Sequence, residues 1–208
     1  MVAGKPVFGI AGGIGSGKSF VARLFGEMGC AVIDSDAQVR AAYRDPSVRE
    51  ALRAWWGDGV LLPDGEVNRQ VIAARVFSDE AERRRLEGLI HPWVARARDR
   101  EMDAAANDPQ VVAYVWDTPL LFEAGLNGEC DAIVFVDAPE DLRLRRVREA
   151  RGWDEAELLR RQKSQWPLDN KRRISDYVLT NTADADDTRG QVREVLSRIL
   201  ARSSNRPD

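Results

Sequence analysis

The chain has 208 residues, enough for one buried core with room for an insertion. Its 31 Lys and Arg stand against 34 Asp and Glu, a formal charge of −3, so a general attraction to nucleic acid or to an anionic membrane face is not expected. Cys30 and Cys130 lie a hundred residues apart and there is one histidine, a poor inventory for zinc. No apolar run is long enough to span a bilayer and the first residues carry no leader pattern, so a cytoplasmic protein with no membrane partner is expected.

Pro6 to Ala11 is a short apolar strand. It leads into Gly12-Gly13-Ile14-Gly15-Ser16-Gly17-Lys18-Ser19, a complete G-x-x-x-x-G-K-[ST] phosphate loop. Glycines let backbone N–H groups wrap an oxyanion without Cβ clashes. Lys18 can then reach the β- and γ-phosphates, and the Ser19 hydroxyl can ligate Mg²⁺. Phe20, Val21, Leu24, Phe25 and Met28 recur at helical spacing, and Gly29 is placed to end that helix. Strand, glycine loop and helix N-terminus together predict a bound nucleoside triphosphate rather than an ordinary glycine-rich turn.

A second strand, Cys30 to Ile33, closes a βαβ unit and ends on Asp34-Ser35-Asp36. From Ala37 to about Asn107 the pattern is helical with short turns, far longer than an ordinary crossover, which predicts an inserted helical subdomain. Apolar runs at 111–116 and 132–136 read as strands covered on both faces. An Arg-rich helical stretch follows at 141–175, then a last strand, Tyr177 to Thr180. The closing helix has Val192, Val195, Leu196, Ile199 and Leu200 on one face, and the polar tail from Ser203 to Asp208 is expected to fray. The predicted fold is α/β, a parallel sheet flanked by helices of the P-loop NTPase type. The core is 1–36 with 110–140 and 176–208, the inserted subdomain is 37–109, and 141–175 forms a lid.

Phosphoryl transfer requires a phosphate cradle, Mg²⁺, cations on the moving phosphoryl group and a carboxylate at the acceptor hydroxyl. Asp36, just beyond strand two, is the candidate for that carboxylate, although an Asp there can equally cap the next helix. Asp117 ends an apolar strand where a metal-supporting acid would stand, or is a turn residue ahead of Pro119. Arg143, Arg145, Arg146, Arg148 and Arg151 read as a solvated helix face, a nucleic-acid patch or a lid carrying an Arg to the transferred phosphate. The acidic balance and the lack of interleaved aromatics disfavour the nucleic-acid reading. His91, before Pro92, is structural, exposed or catalytic. Trp55, Trp56 and Trp93 pack a core or line an acceptor pocket.

In order and spacing these pieces resemble the dephospho-coenzyme A kinase family over nearly the whole chain. Beyond the phosphate loop the likeness rests on Val32-Ile33-Asp34-Ser35-Asp36, Val67-Asn68-Arg69, Val76-Phe77-Ser78, Leu89-Ile90-His91-Pro92 and Pro119-Leu120-Leu121-Phe122-Glu123. Arg146, Gln165 and Asp176 to Asn181 complete it. The resemblance implies that MgATP phosphorylates the ribose 3′-hydroxyl of dephospho-CoA, giving CoA and ADP. It implies Asp36 as base and Lys18 with Arg146 on the transferred phosphoryl. Gly12 to Phe20 and Asn181 would hold ATP, with Ser19 and Asp117 at the metal. Arg69, His91, Pro119, Leu120, Leu121 and Glu123 would lie near the acceptor. A monomer or weak homo-oligomer is expected.

Departures from the family pattern are Ala11, Phe20, Ser35 and Asn68, the lack of a Gln shortly before Arg146, and Ala150 where an Arg is usual. Another small-molecule kinase is the nearest alternative, since fold does not set the acceptor. A GTPase switch needs Asn-Lys-x-Asp, and the Asn170-Lys171-Arg172-Arg173 stretch does not supply it.

Overall fold

The computed structural model describes residues 1–182 and 184–204. Five strands, β1 (Val7–Gly12), β2 (Cys30–Asp34), β3 (Ala113–Asp117), β4 (Ala132–Asp137) and β5 (Tyr177–Thr180), form one sheet in the order β2-β3-β1-β4-β5. Every pairing is parallel, and the register sets Ile10 and Asp34 opposite Asp117. The strands therefore all end on one edge, at Gly12, Asp34, Asp117, Asp137 and Thr180. That is the edge where ligands bind in open α/β sheets.

Helices cover both faces, as continuous apolar strands require. On one face α1 (Lys18–Glu27) and α9 (Ala185–Ser204) bury Val21, Leu24, Phe25, Val192, Leu196 and Ile199 against Phe8, Ile10 and Val134. Phe8 and Phe25 meet edge to face at 4.8 Å, worth about 1 kcal/mol beyond their buried area. The other face packs Tyr114, Trp116, Leu121, Phe122 and Phe135 with Met102. Further along the chain are α6 (Glu140–Arg151), α7 (Glu155–Gln162) and α8 (Leu168–Arg173).

The chain divides into two compact units, one of Met1–Asp34 with Met102–Asp208 and one of Ser35–Glu101. The second holds α2 (Ser35–Ala42), α3 (Pro46–Trp56), α4 (Arg69–Ser78) and most of α5 (Glu80–Ala106) around Val48, Leu52, Val60, Ile72, Leu86 and Ile90. Its far boundary falls before 109 because the end of the 27-residue α5 already belongs to the sheet core, through Met102. Trp55 and Trp56 pack against the second unit's core and meet each other edge to face, and Trp56 Nε1 donates to Glu82 at 2.9 Å.

The structure decides two helix ends, excluding the alternative cap reading of Asp36 and correcting the expected fraying at Ser203 and Ser204. α2 begins at Ser35, so Asp36 lies inside its first turn and does not cap it. At the C-terminus α9 runs to Ser204, so Ser203 and Ser204 are helical; the rest of the tail, 205–208, lies outside the described residues. Among the described residues no helix is long and apolar enough to cross a membrane.

Asp45 caps α3 ahead of Pro46, accepting from the Ser47 hydroxyl at 2.6 Å, Trp93 Nε1 at 3.0 Å and the Ser47 N–H at 2.9 Å. The bonds from the Ser47 side chain, Trp93 and the Ser47 backbone hold its carboxyl down at about 2, against an ordinary 3.8. A depressed folded value gives stability that is complete above the ordinary pKa and lost as pH falls through the folded one. Thermal unfolding followed by Trp emission is expected to show a falling midpoint between those two values, and Asp45→Asn to flatten that fall. An equally steep fall in the variant would assign the acid sensitivity to other carboxylates.

Candidate phosphoryl-transfer site

The loop between β1 and α1 carries the site. Gly15 has φ +79° and Gly17 φ +89°, both in the left-handed region that glycine adopts without strain. Space is short as well: a Cβ on Gly15 would stand 2.6 Å from the Arg143 carbonyl, and one on Gly17 would collide with the Asn181 amide. Lys18 opens α1 and turns back over the loop, its Nζ donating to the carbonyls of Gly12 at 3.2 Å and Gly13 at 3.1 Å. Loop amides and a helix N-terminus of this kind can take a phosphate, and the Lys18 ammonium is already held against the loop. Ser19 is exposed beside it and Phe20 packs against the core; Ile14 is half-buried and Ser16 buried.

The far side of the cradle is tied down by two polar side chains. Asn181, directly after β5, donates from Nδ2 to the Ser16 carbonyl at 2.8 Å. Arg146 Nη1 donates to the Gly15, Ser16 and Asn181 carbonyls at 3.5, 3.2 and 3.3 Å, and Nη2 to Asn181 Oδ1 at 3.3 Å and the Thr182 carbonyl at 2.9 Å. Burial, with the neighbouring charge of Arg145, lowers its pKa below the ordinary guanidinium value. In this arrangement Arg146 holds loop and strand end in register. Asp117 is buried at the end of β3, next to the end of β1.

The segment after β3 divides by depth. Leu121 and Phe122 are core residues, Leu121 lying against the face of Gly9, whereas Pro119 is half-buried and Leu120 is 47% exposed. Glu123 forms an ion pair with Lys171 at 2.7 Å and accepts from the Trp166 N–H at 2.8 Å. Burial pushes its carboxyl up, but those two bonds outweigh it and hold the pKa below the usual carboxylate range. In the second unit Asp36 is exposed in the first turn of α2, and Arg69 opens α4 with its guanidinium 5.8 Å from the Tyr43 ring centre. His91 is exposed on α5, which continues through Pro92.

Two site residues are not evident from the sequence. Lys171 is 2% exposed and pairs with Glu123, yet one basic residue in a run of three gives no sign of it. Arg143 is 6% exposed, although it reads as one of a row of surface arginines. A signal was present: Val147, one turn on, marks the buried face of α6.

Known proteins place the chain in a family. The family model for dephospho-CoA kinase matches residues 6–187. A dephospho-CoA kinase of Deinococcus radiodurans is 40% identical over 191 residues, covering 92% of this chain and 91% of its own. One of Geobacillus kaustophilus is 36% identical over 192 residues, covering 91% and 94%. A solved protein of Thermus thermophilus superposes with a TM-score of 0.80 at 32% identity, covering 93% of this chain and 97% of its own. On this match of sequence and fold, with the phosphate loop set at the sheet edge, the chain belongs to the dephospho-CoA kinase family.

Proposed function

We propose that this chain transfers the γ-phosphoryl group of ATP to the ribose 3′-hydroxyl of dephospho-CoA, giving CoA and ADP. The observation that carries the reading is the glycine loop Gly12–Ser19, with Lys18 folded back over it, in a chain matched over 6–187 to that family. The residues fit the nucleotide: glycines where side chains would collide, a lysine over the loop and a helix N-terminus behind it.

The work is positioning and charge neutralisation, since the transferred group needs little covalent help. Backbone N–H groups of the loop hold the phosphates, and Lys18 neutralises charge as it develops on the moving phosphoryl. Asp36 accepts the proton of the attacking hydroxyl. Arg146 and Asn181 keep the loop and the nucleotide end of the site fixed. By family likeness Arg69, His91, Pro119, Leu120, Leu121 and Glu123 are assigned to acceptor binding. Mg²⁺ would be held by the Ser19 hydroxyl and Asp117, and would supply charge neutralisation at the phosphates; such sites use one or two protein oxygens and the phosphates themselves. A monomer or weak homo-oligomer in the cytoplasm belongs to the same proposal.

ADP release with MgATP and dephospho-CoA, AMP, adenosine, shikimate or no acceptor tests the reading. Release only with dephospho-CoA is expected; equal release with every acceptor would mean an ATPase or switch. Arg146→Ala tests the positioning role. It removes charge-assisted bonds worth about 1.5–3 kcal/mol each when intact, so ADP and ATP are expected to bind about tenfold or more weakly, alike, by calorimetric titration. A fall in kcat with ADP affinity unchanged would instead put Arg146 on the transferred phosphoryl.

A further inference from the structure

Arg143 is a buried charged group beside the cradle whose bonding is incomplete. It is 6% exposed, its Nη1 has no hydrogen-bond partner, and among the described residues no carboxylate forms an ion pair with it. Burying a cation without a counter-charge is costly, and a fold tolerates it where an anion completes the site. The guanidinium lies directly over the loop: a Cβ on Gly13 would stand 2.9 Å from Nη1 and 3.3 Å from Arg143 Cδ. Arg143 also lines a pocket with Gly13, Asp137, Leu168, Asp169 and Arg172 at the ligand edge of the sheet. There the Asp137 carboxylate is engaged by Arg172 at 3.2 Å, and Asp169 is exposed at the start of α8.

The end of the loop matters. Lys18 Nζ rests on the Gly12 and Gly13 carbonyls, and the lysine of such a loop serves the β- and γ-phosphates while the backbone holds the inner ones. Gly13 therefore marks the terminal-phosphate end, and Arg143 stands at that end. We propose that Arg143 is a nucleotide-contacting residue that binds an oxygen of the terminal phosphoryl group, so that it distinguishes ATP from ADP. The proposal rests on the nucleotide-binding reading of the loop and not on the identity of the acceptor.

Titration calorimetry of the whole chain with ADP and with a non-hydrolysable β,γ-imido analogue of ATP, at fixed salt and Mg²⁺, tests it without any acceptor. In Arg143→Gln the analogue is expected to bind about tenfold or more weakly, as loss of a charged hydrogen bond implies, while ADP stays within about twofold. The ligand-free melting temperature of the variant should not fall, because no bond of the guanidinium is lost; a merely structural Arg143 would lower it. Should Arg143→Gln not fold, Arg143→Met preserves length and burial and carries the same expectation. Equal loss for both ligands, or none for either, overturns the proposal. A wild-type chain that binds neither ligand brings down the nucleotide reading, and the proposal with it.

Discussion

Lys18→Ala is expected to lower kcat by about 10²- to 10³-fold, the usual cost of deleting one preorganised donor to developing charge. Lys18 Nζ sits on the carbonyls of Gly12 and Gly13, at 3.2 and 3.1 Å, so its position is set before any ligand arrives. No reorganisation is then needed at the moment of transfer, which is what makes such a contact effective. Those two bonds tie only the loop to itself, and the sheet core of Phe8, Ile10, Phe25 and Val134 does not depend on them. The variant should therefore melt within a few degrees of the parent while ADP formation falls steeply. A variant retaining more than about a tenth of parental kcat would mean that the loop amides alone neutralise the phosphates.

Asp36→Asn carries the second large effect, a loss of about 10²- to 10⁴-fold in kcat, the range for removal of a positioned general base. The substitution keeps size and shape while removing the carboxylate's charge and its ability to take up a proton. Asp36 is exposed on α2, so no core contact is disturbed. The nucleotide loop lies in the other compact unit, and ADP affinity is expected to remain unchanged. Single-turnover transfer with saturating MgATP and dephospho-CoA would show the loss directly. Turnover at the parental rate would exclude Asp36 as the base, and a parallel loss of ADP affinity would make it a structural residue of the site.

The central strands and the loop were legible because their patterns admit few alternatives. A six-residue apolar run into G-x-x-x-x-G-K-S can hardly be anything but β1, the cradle and α1, and the structure has β1 at Val7–Gly12 and α1 at Lys18–Glu27. The long insertion was legible from chain length between strands, but its far boundary was not. The helix α5 runs on through Pro92, and its last turns change partners without a change in composition. Asp36 shows the limit at helix starts: Asp caps and first-turn Asp residues look the same, and only the helix beginning at Ser35 separates them. Arg143 and Lys171 show the limit for charge. An Arg-rich segment reads as solvated, and whether one guanidinium turns inward depends on a neighbour such as Gly13, 130 residues away in sequence. Glu123, placed near the acceptor by family likeness, has Oε1 engaged by Lys171 and Trp166, while its buried Oε2 has no hydrogen-bond partner.

Transfer of a phosphoryl group from ATP to one hydroxyl of dephospho-CoA is read from the products themselves. Mass and phosphorus NMR spectra of the reaction with MgATP should show dephospho-CoA gaining one phosphoryl group at the ribose 3′ position, in step with ADP. Dephospho-CoA recovered unchanged while ADP accumulates, or phosphate found on another hydroxyl, would contradict it.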